Sequence, residues 1–345
     1  MEISREVLIS DLEQVKEGLS SREYIEQSSC FAFKDGMVMT FNDEIACRKP
    51  TQLGITGAVQ AGPLLSILQK ISDDTLQVIE KEGEVEFRGR GKRFGVVKES
   101  NIFLPIDRVE TPGESDWRDL PREFIEGITQ VIHCVGRDES HFILTCVHIT
   151  PEYVEACDNL QLMRYSCKSK IEEEFLVRGD SISPITNLGM TAIALTNDWV
   201  HFRNEEGLIY SIRKYKEKYP SLDSVIEMGG SWITFPPGLK EVCERAAIVA
   251  REKADDVTIR IRVKDKIIQV IGEGVSGWYK EIKKVGYYDG QPIEFLIHPY
   301  LMMYIAENYT QARITNDRMK IEGDGWVYVT VLGKDKGEEE EEEEE

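Results

Sequence analysis

Apolar residues recur at helical spacing in two stretches: Val7, Leu8, Leu12, Val15 and Leu19, then Phe124, Ile125, Ile128, Ile132 and Val135. Each predicts a helix that buries one face and leaves the other free. A third such helix is expected from Pro237-Gly238-Leu239, so the starts at Arg5, Arg122 and Pro237 stand 117 and 115 residues apart. Shorter helices are predicted at Gly62 to Ile71, Ser183 to Leu188 and His298 to Asn308, each with a proline near its start (Pro63, Pro184, Pro299), where the missing N–H is not needed. Elsewhere the period changes to two. Thr75-Leu76-Gln77-Val78 to Phe94-Gly95-Val96-Val97, Thr191-Ala192-Ile193-Ala194 to Tyr210-Ser211-Ile212, and Ala312-Arg313-Ile314 to Val327-Tyr328-Val329 alternate as half-buried strands do. Phe31-Ala32-Phe33 and Met37-Val38-Met39, joined by Lys34-Asp35-Gly36, read as a hairpin with an Asp-Gly turn.

One order of elements met three times at a fixed period means a duplicated module. The fold class expected is α+β, three repeated domains of two helices against sheet-rich layers. Thr111-Pro112-Gly113-Glu114-Ser115 has linker chemistry and Glu227-Met228-Gly229-Gly230-Ser231 is a glycine-rich break, which sets the expected domains at 1–114, 115–231 and 232–337. The run Glu338 to Glu345 repels itself and has nothing to bury, so 338–345 is expected to be a disordered tail.

The chain has 345 residues, 41% of them hydrophobic, enough for each module to hold a core. No apolar run is long enough for a membrane span and Met1-Glu2-Ile3-Ser4-Arg5 lacks the regions of a signal peptide, so a cytoplasmic protein without membrane contact is expected. The seven cysteines are scattered, with no C-x-x-C pair, which argues against a disulfide framework and a zinc site. Neither a metal nor another cofactor is expected. Arg88-Gly89-Arg90-Gly91-Lys92-Arg93 lacks phosphate-loop spacing and reads as a basic hairpin turn. The five histidines show no metal spacing, Gly274-Val275-Ser276-Gly277 is no nucleophile elbow, and Glu172-Glu173-Glu174 reads as a solvated face. These absences point away from an enzyme.

Several strings, taken in order, resemble the bacterial-type DNA polymerase sliding clamp, the beta subunit of the replicative polymerase. They are Ala61-Gly62-Pro63-Leu64-Leu65-Ser66-Ile67-Leu68, Val85-Glu86-Phe87-Arg88-Gly89 and Arg93-Phe94-Gly95-Val96 in the first repeat; Val154-Glu155-Ala156-Cys157-Asp158 and Lys218-Tyr219-Pro220-Ser221-Leu222 in the second; and Glu244-Arg245-Ala246-Ala247-Ile248-Val249 and Ile297-His298-Pro299-Tyr300-Leu301 in the third. The resemblance implies a head-to-tail homodimer forming a six-domain ring around duplex DNA, with helices lining the channel, and a clamp loader and replicative polymerase as partners. A net charge of −20, or −12 without the glutamate run, is no obstacle, because charges farther than about 8 Å through solvent are screened at physiological salt. Candidate channel residues are the bases on or beside the helices: Lys16, Arg22, Lys70, Arg122, Arg137, Lys240, Arg245, Arg251 and Lys253.

The resemblance also implies a hydrophobic pocket for partner peptides between the second and third domains. It would comprise Leu144, Cys157, Asn159, Leu160, Gln161, Leu162, Pro220, Ser224, Val225, Tyr300, Val329 and Val331. The family's Gly-His-Arg-Leu is here Asn159-Leu160-Gln161-Leu162, without imidazole or guanidinium. That departure implies an altered partner motif and a dedicated polymerase, of the kind a bacterial virus encodes. The glutamate run would start near the pocket and attract a basic partner or compete with DNA. The alternative reading is an acidic DNA-mimic inhibitor of a nucleic-acid-binding protein.

Overall fold

The computed structural model describes residues 1–169, 171–250 and 257–334. Arg251, Lys253 and the glutamate run 338–345 lie outside the described residues. The chain divides into two compact units, the first holding 1–133, 138–154 and 167–218, the second 134–137, 155–166 and the chain from Tyr219 onward.

In the first unit the helices are α1 (Arg5–Val15), α2 (Ala61–Lys70), α3 (Arg122–Val131) and α4 (Gly179–Ile182). Leu8, Leu12 and Val15 of α1 and Phe124 and Ile128 of α3 are buried, as their spacing predicts, whereas Ile125 is half-buried, Ile132 and Val135 lie half-buried beyond the end of α3, and Val131 completes the buried face. Val7 is exposed and Leu19 lies beyond the helix. The helix tightens into a 3₁₀ turn at Lys16–Gly18 because the Thr40 hydroxyl donates to the Val15 carbonyl at 2.5 Å and Gly18 presses on Thr40, where a Cβ would stand 2.3 Å from Oγ1. The helix expected at Ser183 to Leu188 is instead α4 followed by a 3₁₀ segment, Ser183–Asn187. Pro184 has no N–H to continue the α-helical ladder.

The sheet of this unit has twelve strands. It runs Glu2–Ser4, Thr75–Lys81, Glu84–Gly89, Lys92–Glu99, Gly57–Gln60, Cys30–Lys34, Met37–Phe41, Ile45–Pro50, Ile209–Arg213, Trp199–Asn204, Met190–Leu195, Arg118–Asp119. The Asp-Gly hairpin is present, Ala32 opposite Met39, with Asp35 and Gly36 both at positive φ, the geometry of a type I′ turn. The basic stretch at Arg88–Arg93 is a turn as well, Gly89 opposite Lys92. Ile45–Pro50 pairs with Ile209–Arg213, Arg48 opposite Ile209, so the first and second repeats share one sheet and each loses an edge. Lys49, buried at this joint, lies 3.6 Å from Asp11 of α1 and 3.0 Å from Glu206.

The second unit contains α5 (Asp223–Ile226), α6 (Leu239–Ala250) and α7 (Pro299–Asn308). Strand Gln161–Ser166 pairs with Trp326–Val331, Leu162 opposite Val329, so the second and third repeats also meet through a sheet, which continues through Arg318–Gly323, Gln311–Ile314, Ser231–Thr234 and Tyr287–Tyr288. A separate four-stranded sheet runs Gly277–Lys284, Ile267–Gly274, Ile259–Lys264, Ile293–Ile297. Its inner face, Ile259, Ile261, Val263, Ile268, Val270, Phe295 and Ile297, is buried, and α6 packs on that sheet. Gly272 lets the helix approach, since a Cβ there would lie 2.0 Å from the Ala246 carbonyl oxygen.

Candidate functional site

The expected channel cations are solvent-facing but mostly paired. Lys16 Nζ lies 2.6 Å from Glu13, and Arg122, at the start of α3, lies 3.3 Å from Glu126 one turn on. Lys240 of α6 reaches Glu307 of α7 at 2.7 Å, a contact that holds its ammonium above the ordinary lysine range. Arg245 is 2.6 Å from Glu281 and donates to the Tyr279 hydroxyl at 2.8 Å, on the neighbouring strand. Arg22 and Arg137 are exposed in loops and Lys70 is exposed at the end of α2. The exposed helix faces also carry Glu6 and Ser10 on α1, Glu123 and Glu126 on α3, Glu241 and Glu244 on α6 and Glu307 on α7. Local charge is therefore mixed, not a basic stripe.

The pocket candidates within the second unit assemble around the paired strands. Strand alternation puts Leu162 and Val329 on one face with Arg164 and Val327. Beyond them the Val331 N–H donates to the Leu160 carbonyl at 2.9 Å, and the two side chains stay 41% and 45% exposed. Asp158 shapes the turn that presents Asn159 and Leu160, its Oδ1 accepting from the N–H groups of Leu160 at 2.7 Å and Gln161 at 2.8 Å. Gln161 Oε1 accepts from the Tyr328 hydroxyl at 2.9 Å, which turns it to the other face.

Two arginines that the sequence reading did not single out fix the wall. Arg164 bridges buried Glu155 at 2.7 Å and Asp223 of α5 at 2.8 Å. Arg318 donates to the carbonyls of Ser224 at 3.2 Å and Val225 at 3.1 Å, and so clamps the end of α5. The signal available was a glutamate inside the apolar strand Tyr153–Cys157, which burial obliges to find a cation. Tyr219, also not singled out, accepts from the Cys157 N–H at 2.9 Å and donates to its sulfur at 3.3 Å. Burial pushes the Cys157 thiol and the Tyr219 phenol above their usual ranges, so both stay neutral. Pro220 is exposed beside Tyr219, and Tyr300 is exposed in the first turn of α7, stacked on His298. Leu144 lies in the first unit, half-buried on the 3₁₀ segment Glu139–Thr145.

One contact has the form of a base and a nucleophile. His201 Nδ1 is 2.8 Å from Ser211 Oγ, and Nε2 is 2.9 Å from Thr196. Both His201 and Ser211 are buried between paired strands, and burial together with nearby Arg48 and Lys214 lowers the imidazole to about 3. A neutral base sealed from substrate is a packing element. The seven cysteines are buried free thiols, with Cys47 and Cys243 pushed up to about 12 by desolvation. Among the described residues no group of His, Cys, Asp and Glu could hold a metal, and no helix is long and apolar enough to cross a membrane.

No protein-family model matches the chain, and neither does any curated protein. Solved structures do. The DNA polymerase III beta chain of Streptococcus pneumoniae superposes with a TM-score of 0.83 at 16% identity, over 97% of this chain and 99% of that one. The fold is that of a bacterial DNA sliding clamp. The Bacillus subtilis clamp matches at TM-score 0.82 and 16% identity over 97% and 98% of the two chains, and the Thermotoga maritima beta subunit at 0.81 and 12% over 96% and 98%. At such identities few side chains are shared, so the clamp fold here rests on this chain's own packing. Among the features that carry it are the two sheet joints, α1 and α3 with their apolar faces buried, and the α6–α7 pair.

Proposed function

We propose that this chain is a DNA sliding clamp, a non-catalytic processivity factor. Two copies join head to tail into a ring of six modules (1–114, 115–231 and 232–337 in each) around duplex DNA. A clamp loader places the ring, which tethers a replicative polymerase in the cytoplasm of a bacterium or an infected bacterial host. The carrying observation is the match to clamps over 96 to 97% of the chain. A heterologous contact closes into a ring when each module turns the chain by a sixth of a circle.

Phosphate contacts position a protein without reading sequence, so topology would supply retention and Lys16, Arg22, Lys70, Arg122, Arg137, Lys240, Arg245, Arg251 and Lys253 would supply local positive potential. The exposed apolar pair Leu160 and Val331, with half-buried Val225 and with Tyr300, would receive the partner peptide. The test is loading onto nicked circular DNA with a loader and ATP. A dimer that stays on circles and runs off once they are linearised supports the reading, and equal dissociation from both forms overturns it.

One observation favours a second reading, an acidic DNA mimic. The exposed faces of α1, α3, α6 and α7 carry Glu6, Glu123, Glu126, Glu241, Glu244 and Glu307. A monomer in native mass measurement that blocks a nuclease or repressor in proportion to its concentration would support the mimic.

A further inference from the structure

One face of the hairpin sheet in the first unit is apolar around a single arginine. Register sets Met37 opposite Pro50, Met39 opposite Arg48 and Phe41 opposite Ala46, so these side chains share a face of strands Met37–Phe41 and Ile45–Pro50. The segment from Ile102 to Val109, with its 3₁₀ turn at Pro105–Arg108, packs on that face. Leu104, Ile106 and Val109 join Met39, Phe41, Ala46 and Trp199 in one buried cluster. The cover is incomplete. A cleft of about 410 Å³ stays open, walled by Met37, Met39, Ile102, Leu104, Ile106 and Val109. That volume lies in the range of small-molecule sites.

Arg48 lines this cleft half-buried. Its Nη2 donates to the Ile106 carbonyl at 2.7 Å and its Nη1 to the Thr111 hydroxyl at 2.6 Å, both neutral acceptors. It makes no ion pair among the described residues. A guanidinium has five N–H donors, so these two bonds fix its plane and leave the others for a ligand. Burial lowers the Arg48 pKa, and the charge of Asp107 only partly opposes it, as expected of a cation short of compensation. The remaining charges at the cleft, Lys34, Asp35, Asp107 and Glu110, are exposed at its rim, where salt screens them. A desolvated cation beside apolar walls matches a carboxylate on a hydrocarbon body. The head pairs with the guanidinium fork, and the body packs on methionines, whose unbranched thioethers adapt to its shape. The rim carboxylates disfavour a second negative charge, which selects a monoanion over a phosphate ester.

We propose that this cleft is a binding site for a small aliphatic monocarboxylate, its head on Arg48 and its chain between Met37, Met39 and Leu104. The site lies wholly within the first unit and does not depend on ring formation.

Octanoate is the probe, added to the full chain with carbon-13-labelled methionine methyls. The Met37 and Met39 signals should shift saturably, while those of Met302 and Met319, buried in the second unit, stay fixed. Octan-1-ol, the same chain without the charge, should bind at least tenfold more weakly through loss of the charge-assisted pair. Arg48→Gln, with an unchanged melting temperature, should bring octanoate down to the octan-1-ol level and leave octan-1-ol where it was. Should that variant not fold, the two ligands compared on the unaltered chain still decide. Equal affinities for octanoate and octan-1-ol would reduce the cleft to an apolar hole and overturn the proposal. Shifts spread over the methionines of both units, or none at Met37 and Met39 with octanoate up to about 10 mM, would overturn it too.

Discussion

Arg164 and His201 show how single residues here depend on burial. Glu155 is almost fully buried and lies 2.7 Å from Arg164, so Arg164→Met should cost about 3 kcal/mol by removing this buried ion pair. Adding Glu155→Met should restore most of that, as urea midpoints of the two variants would report. The His201 imidazole is held at about 3, against about 6.5 in an unfolded chain. The unfolded state therefore binds the proton first, and stability present above pH 6.5 is lost as pH falls toward 3. Between pH 6 and 5 the loss should be on the order of 1 kcal/mol per pH unit, and His201→Gln should flatten that slope in urea titrations. At the proposed peptide pocket, Leu160→Asp should weaken binding of a polymerase peptide at least tenfold in calorimetry while leaving the melting temperature within about 2 °C, because Leu160 is largely exposed.

Helices and strands meet at a few close approaches, and these decide which substitutions an element tolerates. Gly272→Ala would put a methyl against the backbone of α6 and should destabilise by about 2 kcal/mol. Gly62, inside α2, has open space around it, so Gly62→Ala should stabilise by about 0.5–1 kcal/mol. Thermal melts of the two variants, moving in opposite directions, check both. The helix periods were legible because α1 and α3 each bury one continuous stripe, Leu8, Leu12 and Val15 in one, Phe124, Ile128 and Val131 in the other. The ends were less so. Gly18 is a local stop signal, but the contact that fixes the end of α1 at Val15 comes from Thr40, a residue on another element.

For the whole molecule, net charge and topology pull in different directions. A chain of −20 with mixed helix faces should bind short linear duplex weakly, and the binding should disappear by about 0.3 M salt as counterion release is lost. In the proposed ring, protein already loaded on circular DNA should persist at that salt. Gel filtration of circle-bound protein at 0.1 and 0.5 M salt separates the two behaviours.

The periodic order of elements, the Asp-Gly hairpin, the basic turn at Arg88–Arg93 and the lack of any familiar catalytic spacing are all legible along the chain. These are local properties, set by residues a few positions apart. Which strands join the repeats, Ile45–Pro50 with Ile209–Arg213 and Gln161–Ser166 with Trp326–Val331, is set by the folded chain. The fold alone shows that candidate cations such as Lys240 and Arg245 already hold carboxylates and that Arg164 and Arg318 fix α5. The reason is physical. A strand register such as Arg48 opposite Ile209, or an ion pair such as Lys240 with Glu307, joins residues far apart in the chain, and no local period records which distant partner desolvation and packing will select.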